Sequence, residues 1–433
     1  MGSLFSALTT AVAGLNAQSS SIGNISDNLA NAQTTGYKAV STSFEQLVTS
    51  SNAAVNNPGG VRARPQYQND VQGSIVSSNT ETFLAISGSG YFAVQSASTD
   101  ATGTTNFNSQ PLYTRQGDFS LDKSGYMVNS SGFYLTGYTV DSSGNVDTSS
   151  TEAIQVSALL DDPVSTGTVT YSANLPSNAA NAYTSSTSTV KIYDALGNTH
   201  DLSYEWSKTA TNIWDLDISI PDATPAYAET LTFVFNTGSG GTTAGTIASI
   251  TDGTTTINTA GDPAEWNASI TFPGTAAQTT TLDFGTLGSS GGVSQYADSS
   301  VAVSVTNFSQ DGLPRGSFDS LGIDSDGLMS INYSNGTTRT IYQIPIVQFY
   351  AENQLQRISG GAYSSTLAAG TPRYSVPGTT GAGTISANSL EQSNVDIATE
   401  FTTLIQAQQI YSANAKVVTA DNSLLQVTIN MVQ

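Results

Sequence analysis

Residues 390–432 read LEQSNVDIATEFTTLIQAQQIYSANAKVVTADNSLLQVTINMV, and in them Leu390, Ile397, Leu404, Tyr411, Val418, Leu425 and Val432 recur every seven residues. Phe401, Ala415 and Ile429 sit four beyond their partners, with Gln408 and Asn422 interrupting that second row. A seven-residue apolar repeat holds one seam on one side of a helix, as in a coiled coil. The spacing predicts a helix from about 394 to the end. Ser393 with Asp396 resembles a capping box, and Asp396 and Glu400 suit the positive end of a helix dipole.

The opposite terminus repeats the design. Leu8, Leu15, Ile22 and Leu29 are seven apart, with Leu4, Ala11 and Ile25 on companion positions. The pattern runs out in Asn31-Ala32-Gln33-Thr34-Thr35-Gly36, where poor helix formers lead to a glycine suited to a helix end, so residues 3 to about 33 read as one helix. Gly14 and Gly23 each cost about 1 kcal/mol relative to alanine, which makes this helix weak alone.

Charge decides how such helices are used. Residues 1–35 carry one ionisable side chain, Asp27, and residues 394–433 carry Asp396, Glu400, Lys416 and Asp421. A solvated helix normally shows salt-bridging charges on its outer face. Helices this uncharged are expected to pack on many sides, against copies of themselves. Leu8, Leu15, Ile22, Leu29, Ile397, Phe401, Leu404, Tyr411, Val418 and Leu425 are the expected subunit-interface residues.

Between the helices the signal turns to β. Short runs such as Thr168-Val169-Thr170-Tyr171, Leu231-Thr232-Phe233-Val234-Phe235, Val301-Ala302-Val303-Ser304-Val305 and Ile341-Tyr342-Gln343-Ile344 alternate with turn clusters. Asp122-Lys123-Ser124-Gly125, Asp141-Ser142-Ser143-Gly144 and Asp324-Ser325-Asp326-Gly327 each open on aspartate and close on glycine, the chemistry of a hairpin tip. They lack the further oxygens and terminal glutamate of a calcium loop. The expected fold is multidomain α+β: N- and C-terminal heptad helices forming an axial coiled-coil domain, with two mainly antiparallel β domains inserted between them. The expected boundaries are 1–36 and 389–433 for the axial helices, and 37–75 and 375–388 for an extended connector. The inner β domain is expected at 76–148 and 300–374, and the outer β domain at 149–299.

Composition narrows the function. With 33 acids against 12 bases the chain carries a formal charge of −21, which opposes a nucleic-acid backbone or an anionic lipid surface. Between Lys208 and Arg315 there is no base, while ten acids fall in that gap, so this segment is expected to face solvent. There is no cysteine, hence no disulfide or thiolate chemistry. No run of 18 apolar residues offers a membrane span, and the N-terminus lacks the basic region of a Sec-type signal, so any export is expected to use another route, without a cleaved Sec signal.

Chemistry-bearing clusters are sparse. The single histidine, His200, lies in Gly197-Asn198-Thr199-His200-Asp201 and reads as a turn residue; it forms neither a triad nor a two-histidine metal site. Asp161-Asp162, Asp215 with Asp217, and Asp324 with Asp326 are the carboxylate pairs. Asp215 and Asp217 flank Leu216 beside Trp214 and would share one strand face, the nearest approach to a glycosidase arrangement, yet alternating acids on a solvated strand are commoner. Ser87-Gly88-Ser89-Gly90 lacks a phosphate-binding lysine and a following helix, and reads as a turn. No catalytic, metal or cofactor site is assigned.

Asn28-Leu29-Ala30-Asn31-Ala32-Gln33-Thr34-Thr35-Gly36-Tyr37-Lys38 resembles the N-terminal signature of the flagellar rod and hook axial proteins. Ser389 through Ser393-Asn394-Val395-Asp396 resembles their C-terminal signature. Ala85 through Phe92 and Tyr113 through Phe119 resemble further core motifs of that family, and Val190 through His200 resembles the outer-domain segment of its hook members, which shorter rod proteins lack. The return motif Asp326-Gly327-Leu328 and Ile344-Pro345-Ile346-Val347-Gln348-Phe349 agrees. By resemblance the motif residues are Asn28, Asn31, Thr35, Gly36, Tyr37, Ser393, Asn394, Val395 and Asp396.

The resemblance implies a non-enzymatic subunit that self-assembles into a curved, hollow helical homopolymer coupling rod to filament, at the basal body and hook outside the cell. Its implied partners are itself, a distal rod protein, a hook cap, a hook–filament junction protein and the flagellar type III export apparatus, with no nucleic acid, no membrane insertion and no cofactor. A distal rod or hook-cap protein is the alternative within the family. A secreted β-rich adhesin or carbohydrate-active protein would account for the Thr-rich β segments but not for the paired heptads.

Overall fold

A computed structural model describes residues 2–51, 56–99, 105–141, 143–156 and 161–432; at 2–5, 48–51, 56–58, 99 and 428–432 it describes the backbone alone. The side chains of Leu4, Ile429 and Val432, and residue Ser142, named above, lie outside the described set. The chain forms two compact units: residues 1–158, 320–332 and 338–433, and residues 159–319 and 333–337.

In the first unit the two expected helices are present: α1 spans Gly2–Ala30 and α2 spans Ile397–Val432. α2 begins where Asp396 Oδ1 accepts from the N–H groups of Ala398 (2.9 Å) and Thr399 (3.1 Å). Ser393 Oγ accepts only from Val395 N, 3.3 Å away, so the cap is Asp396 alone and not a reciprocal box.

The helices lie antiparallel. Asn28 Nδ2 donates to Glu400 Oε1 at 2.9 Å, and a Cβ added at Gly14 would sit 2.9 Å from Asn414, so position falls along one helix as it rises along the other. This register sets Gly14, Ser21 and Asn28 against Asn414, Ala407 and Glu400. Ser21, Asn28 and Ala407 are buried. The second row of α2's seam is thus Glu400, Ala407, Asn414 and Asp421, three residues beyond Ile397, Leu404, Tyr411 and Val418, and not the expected Phe401 row. Small and polar side chains let the two backbones approach closely, which is what Gly14 contributes.

Residues 40–67, expected as extended connector, form an antiparallel hairpin of β1 (Val40–Ser51) and β2 (Asn56–Tyr67), with Val40 opposite Tyr67 and Glu45 opposite Arg62. A two-stranded ribbon is marginal alone, and this one leans on α1 through Asn24 Nδ2 to Thr42 Oγ1 (2.8 Å). A Cβ at Gly60 would meet that of Ala13 at 2.9 Å, so the hairpin lies against α1 through small and polar groups, which leave no large apolar alternation in the sequence.

The inner sheet runs Thr338–Gln343, Phe133–Val140, Tyr91–Thr99, Leu112–Thr114, Ala362–Ser364 and Gln356–Ile358. Its core packs Tyr91, Tyr113, Val347, Phe349 and Tyr363, with Tyr113 edge-on to Phe349 at 4.8 Å. The returning chain is stitched on by two short antiparallel pairs, Ile75–Ser77 with Ser389–Glu391 and Leu84–Ser87 with Thr384–Ala387. Strand pairing therefore moves the expected edges. Residues 384–387 pair inside this unit instead of linking it, and Val146–Ala153 pairs with Phe133–Val140, so 149–153 belong here as well.

The second unit is a two-sheet β body. One sheet is the antiparallel run Ser188–Tyr193, Thr199–Ala210, Ile213–Ile220, Tyr227–Phe235, Ile247–Thr251 and Thr256–Ile257. In the other, Thr168–Pro176 pairs in parallel with Gln278–Thr286 and Ser294–Tyr296, and antiparallel with Ser304–Gln310, which carries the unit past the expected edge at 299. Alternate residues face the core: Tyr204, Trp206, Trp214, Leu216, Phe233 and Phe284 are all within 1% of full burial.

The aspartate turns are as expected. Asp122 Oδ1 accepts from Ser124 N and Tyr126 N, and Asp324 Oδ1 from Asp326 N and Leu328 N, with Gly125 and Gly327 in the left-handed region. Asp215 and Asp217 accept from the hydroxyls of Thr232 (2.7 Å) and Thr230 (2.5 Å) on the solvent side, while Trp214 is buried on the other face. The pair therefore has no aromatic platform. His200 is more than a turn residue: it is buried, stacked 3.6 Å from Phe272, with Nδ1 2.5 Å from Asp222 Oδ2 and Nε2 3.3 Å from Asp194 Oδ2.

Candidate functional site

The two motif segments from opposite ends of the chain meet in one joint. Asn28, buried near the end of α1, accepts from Val40 N (2.9 Å) through Oδ1 and donates through Nδ2 to Val40 O (3.0 Å) and Glu400 Oε1. Asn394 Oδ1 accepts from Ala39 N at 2.7 Å, and its Nδ2 reaches the carbonyls of Val71 (3.1 Å) and Gln68 (3.3 Å). Each asparagine fastens a helix end to the hairpin and its flanks.

Gly36 closes the α1 turn. Its φ is +66°, and its N–H donates to Glu391 O at 2.8 Å. A Cβ there would lie 2.7 Å from the Arg115 backbone carbon, so only glycine lets the segment lie this close. Asn31 Nδ2 donates to Asp27 O (2.9 Å), and the Tyr37 hydroxyl lies 3.1 Å from Asp27 Oδ2 and 3.2 Å from Asn28 Oδ1. Burial first, then the Asp27 charge, pushes the Tyr37 phenol up to about 12. Thr35 lines the grooves on both sides of this turn.

Beneath the motifs lies a buried ion cluster that the sequence reading missed. Glu391, fully buried, takes Lys38 Nζ on Oε1 at 2.6 Å and Arg115 Nη1 on Oε2 at 3.1 Å, and also accepts from Gly73 N at 2.9 Å. Lys38 Nζ donates further to Val71 O (2.7 Å), and Arg115 Nη2 to Gly88 O (2.8 Å). Burial pushes the Lys38 ammonium below its ordinary value and Glu391 opposes that shift. Glu352, which takes the Tyr91 hydroxyl at 3.2 Å, is pushed up by burial and held back by Arg115. Arg357 caps the joint, donating to Lys38 O and lying over the rings of Tyr37 (5.5 Å) and Tyr67 (5.0 Å). Lys38 and Arg115 fall inside segments quoted for the resemblance, but nothing in their spacing ties them to Glu391.

The expected interface residues divide. Leu8, Leu15, Ile22 and Leu29 are half-buried, as are Leu404, Val418 and Leu425. Ile397, Phe401 and Tyr411 are exposed, and so are Ile405, Ile410, Val417, Leu424 and Val427. α2 therefore carries a large uncovered apolar surface with almost no charge beside it.

Residues 8–38 match the family described as Flagella basal body rod protein, and 85–192 match Flagellar hook protein FlgE/F/G D1 domain. Residues 160–313 match Flagellar basal body protein FlaE D2 domain, and 386–431 match Flagellar basal body rod FlgEFG protein C-terminal. The chain is 32% identical over 437 residues to the flagellar hook protein FlgE of Rhizobium meliloti (strain 1021), covering 99% of both chains. It belongs to the flagellar hook protein family. To the hook protein FlgE of Brucella suis biovar 1 (strain 1330) it is 31% identical over 99% of both chains. To that of Escherichia coli (strain K12) it is 29% identical over 98% of this chain and 100% of that one. Among solved structures, the Helicobacter pylori flagellar hook protein FlgE2 aligns with a TM-score of 0.47 at 15% identity, over 73% of this chain and 100% of that one. A hook protein is a structural subunit and not an enzyme, so the joint holds the molecule's shape rather than reacting.

Proposed function

We propose that copies of this hook protein polymerise into a curved hollow tube whose wall is made by the apolar rows of α1 and α2. The observation that carries this is the split use of the helices. Within one chain they meet through Gly14, Ser21 and Asn28 against Asn414, Ala407 and Glu400, which leaves Phe401, Ile405, Ile410, Tyr411, Val417, Leu424 and Val427 between 42% and 56% exposed. Finishing the burial of a half-exposed large apolar side chain contributes roughly 1 kcal/mol, so seven of them supply about 7 kcal/mol per subunit before the entropy of association is subtracted. The half-buried row Leu8, Leu15, Ile22, Leu29 with Leu404, Val418 and Leu425 supplies the neighbouring contacts.

The joint of Asn28, Asn31, Thr35, Gly36 and Tyr37 with Ser393, Asn394, Val395 and Asp396 sets the helix pair on the inner β unit, and the outer unit of 159–319 projects its carboxylates to solvent. The tube sits outside the cell, reached through the flagellar type III export apparatus without a cleaved signal. A distal rod protein, a hook cap and a hook–filament junction protein adjoin it. The test is negative-stain microscopy and sedimentation of purified Phe401→Asp. Its monomer should keep the natural circular dichroism, because the side chain is exposed, yet form no tubes. Normal tubes from that variant would remove α2's outer row from the interface.

A further inference from the structure

Tyr350 and Leu367 are 98% and 102% exposed, the two most exposed large apolar side chains among the described residues. They sit on a stiff tip. Ala351 N donates to Ala369 O (3.2 Å) and Thr366 Oγ1 to Gln354 O (2.8 Å), while the neighbouring Phe349, Leu355 and Ala369 are buried in the inner core. A Cβ at Gly370 would stand 3.5 Å from Tyr350 Cβ, so the two loops touch where they carry these side chains. Residues 366–371 hold no charge, and Glu352 is turned inward to Tyr91. Because the backbone that carries them is already held, binding has only their side-chain rotamers left to order.

We propose that this tip enters a groove on a second copy of the chain, the one between the end of α1 and the strand pair Ile75–Ser77 with Ser389–Glu391. The inference rests on the polymer reading and adds to it a contact between β units. The groove holds about 510 Å³ and is lined by Ala32, Gln33, Val76, Ser78, Leu390 and Gln392, with Val76 44% exposed and no charged side chain. Charge selects it. Copies of a chain at −21 repel one another, so they meet where charge is absent.

The other grooves fit less well. The groove beside Tyr37 carries Asp27, Lys38 and Arg357, and the one on α2 carries Lys416. The grooves at Ser96, Asn108 and Gln110 and at Asn236, Ile247 and Leu287 are uncharged as well, but no residue of α1 or α2 lines either, so a contact there would not continue a helical wall. Knob and groove are different surfaces of the same subunit, so the contact is head-to-tail and propagates into an open helix instead of closing a dimer. The groove adjoins the end of α1, which makes the contact continuous with the helical wall.

The chain has no cysteine, so single substitutions report cleanly. Leu367→Cys and Val76→Cys chains, mixed, polymerised and oxidised, should give disulfide-linked dimers in the mixed polymer, and only background in either polymer alone or in the unpolymerised mixture. Tyr350→Ser with Leu367→Ser should raise the concentration needed for polymerisation at least tenfold while leaving the monomer's circular dichroism unchanged. If the natural chain polymerises but the mixed polymer gives no linked dimers, the knob and groove do not meet and the inference is overturned. If the natural chain forms no polymer under any condition, the polymer reading fails first and this one falls with it.

Discussion

Replacing Glu391 with leucine should unfasten the joint between the chain ends. The carboxylate is fully buried, and its removal leaves Lys38 and Arg115, 1% and 2% exposed, without the ion-pair partner they share. Breaking a buried pair from one side costs about 3–5 kcal/mol, because the orphaned cations stay desolvated. At roughly 3 kcal/mol per molar of urea, that lowers the unfolding midpoint of the first unit by about 1–1.7 M. The molecule carries its own control. Trp206, Trp214 and Trp266 all lie in the second unit, so tryptophan fluorescence follows that unit alone while far-UV circular dichroism also sees the helices. The dichroism transition should shift and the fluorescence transition should not. The triple variant Lys38→Met, Arg115→Met, Glu391→Leu removes all three charges together and should recover most of the loss. A dichroism midpoint for Glu391→Leu within about 0.3 M of natural, a difference worth roughly 1 kcal/mol, would refute the claim that this charge fastens the joint.

Gly36→Ala combines a left-handed φ of +66° with a Cβ 2.7 Å from the Arg115 backbone, and should cost the first unit at least about 2 kcal/mol in the same urea titration. Glu400 is raised chiefly by burial, so its folded-state stabilisation is present below the ordinary carboxylate range and is lost as pH rises through its elevated value. Glu400→Gln keeps an oxygen for Asn28 Nδ2 and should raise the first unit's thermal midpoint at pH 7 by about 1–3 °C while leaving it unchanged near pH 4, as followed by circular dichroism at 222 nm. Burial likewise raises the Tyr37 phenol to about 12, so its contribution is complete below the ordinary phenol range and is lost as pH rises through about 12. Burial also raises Tyr91, Tyr113, Tyr204 and Tyr227, so alkaline titration at 295 nm should count one fewer late-titrating tyrosine in Tyr37→Phe than in the natural chain.

The helices were legible because a seven-residue repeat is a local signal that survives without any partner, and Leu8 through Leu29 and Leu404 through Leu425 display it. The aspartate turns were legible for the same reason, since Asp122 and Gly125 act within four residues. The hairpin of residues 40–67 was not. It is held by Asn24 and Asn28 through a hydroxyl and backbone groups, with Asn394 bound to the flanking Ala39 and Gln68, and such contacts leave no apolar period. Nor was the buried cluster, for Lys38 and Glu391 are 353 residues apart, Arg115 and Glu391 are 276 apart, and each alone reads as a surface charge.

By itself the sequence determined that both ends are uncharged heptad helices and that the middle is β, because hydrophobic period and turn chemistry are set by neighbouring residues. Only the tertiary structure decided which side of each helix serves which purpose. Rows one residue apart on α2, such as Tyr411 and Val418 against Ile410 and Val417, have the same period, and periodicity cannot rank them. What ranks them is the close approach permitted at Gly14 and the bond from Asn28 to Glu400, which turn the small and polar row inward and leave apolar side chains such as Ile410 and Val417 uncovered.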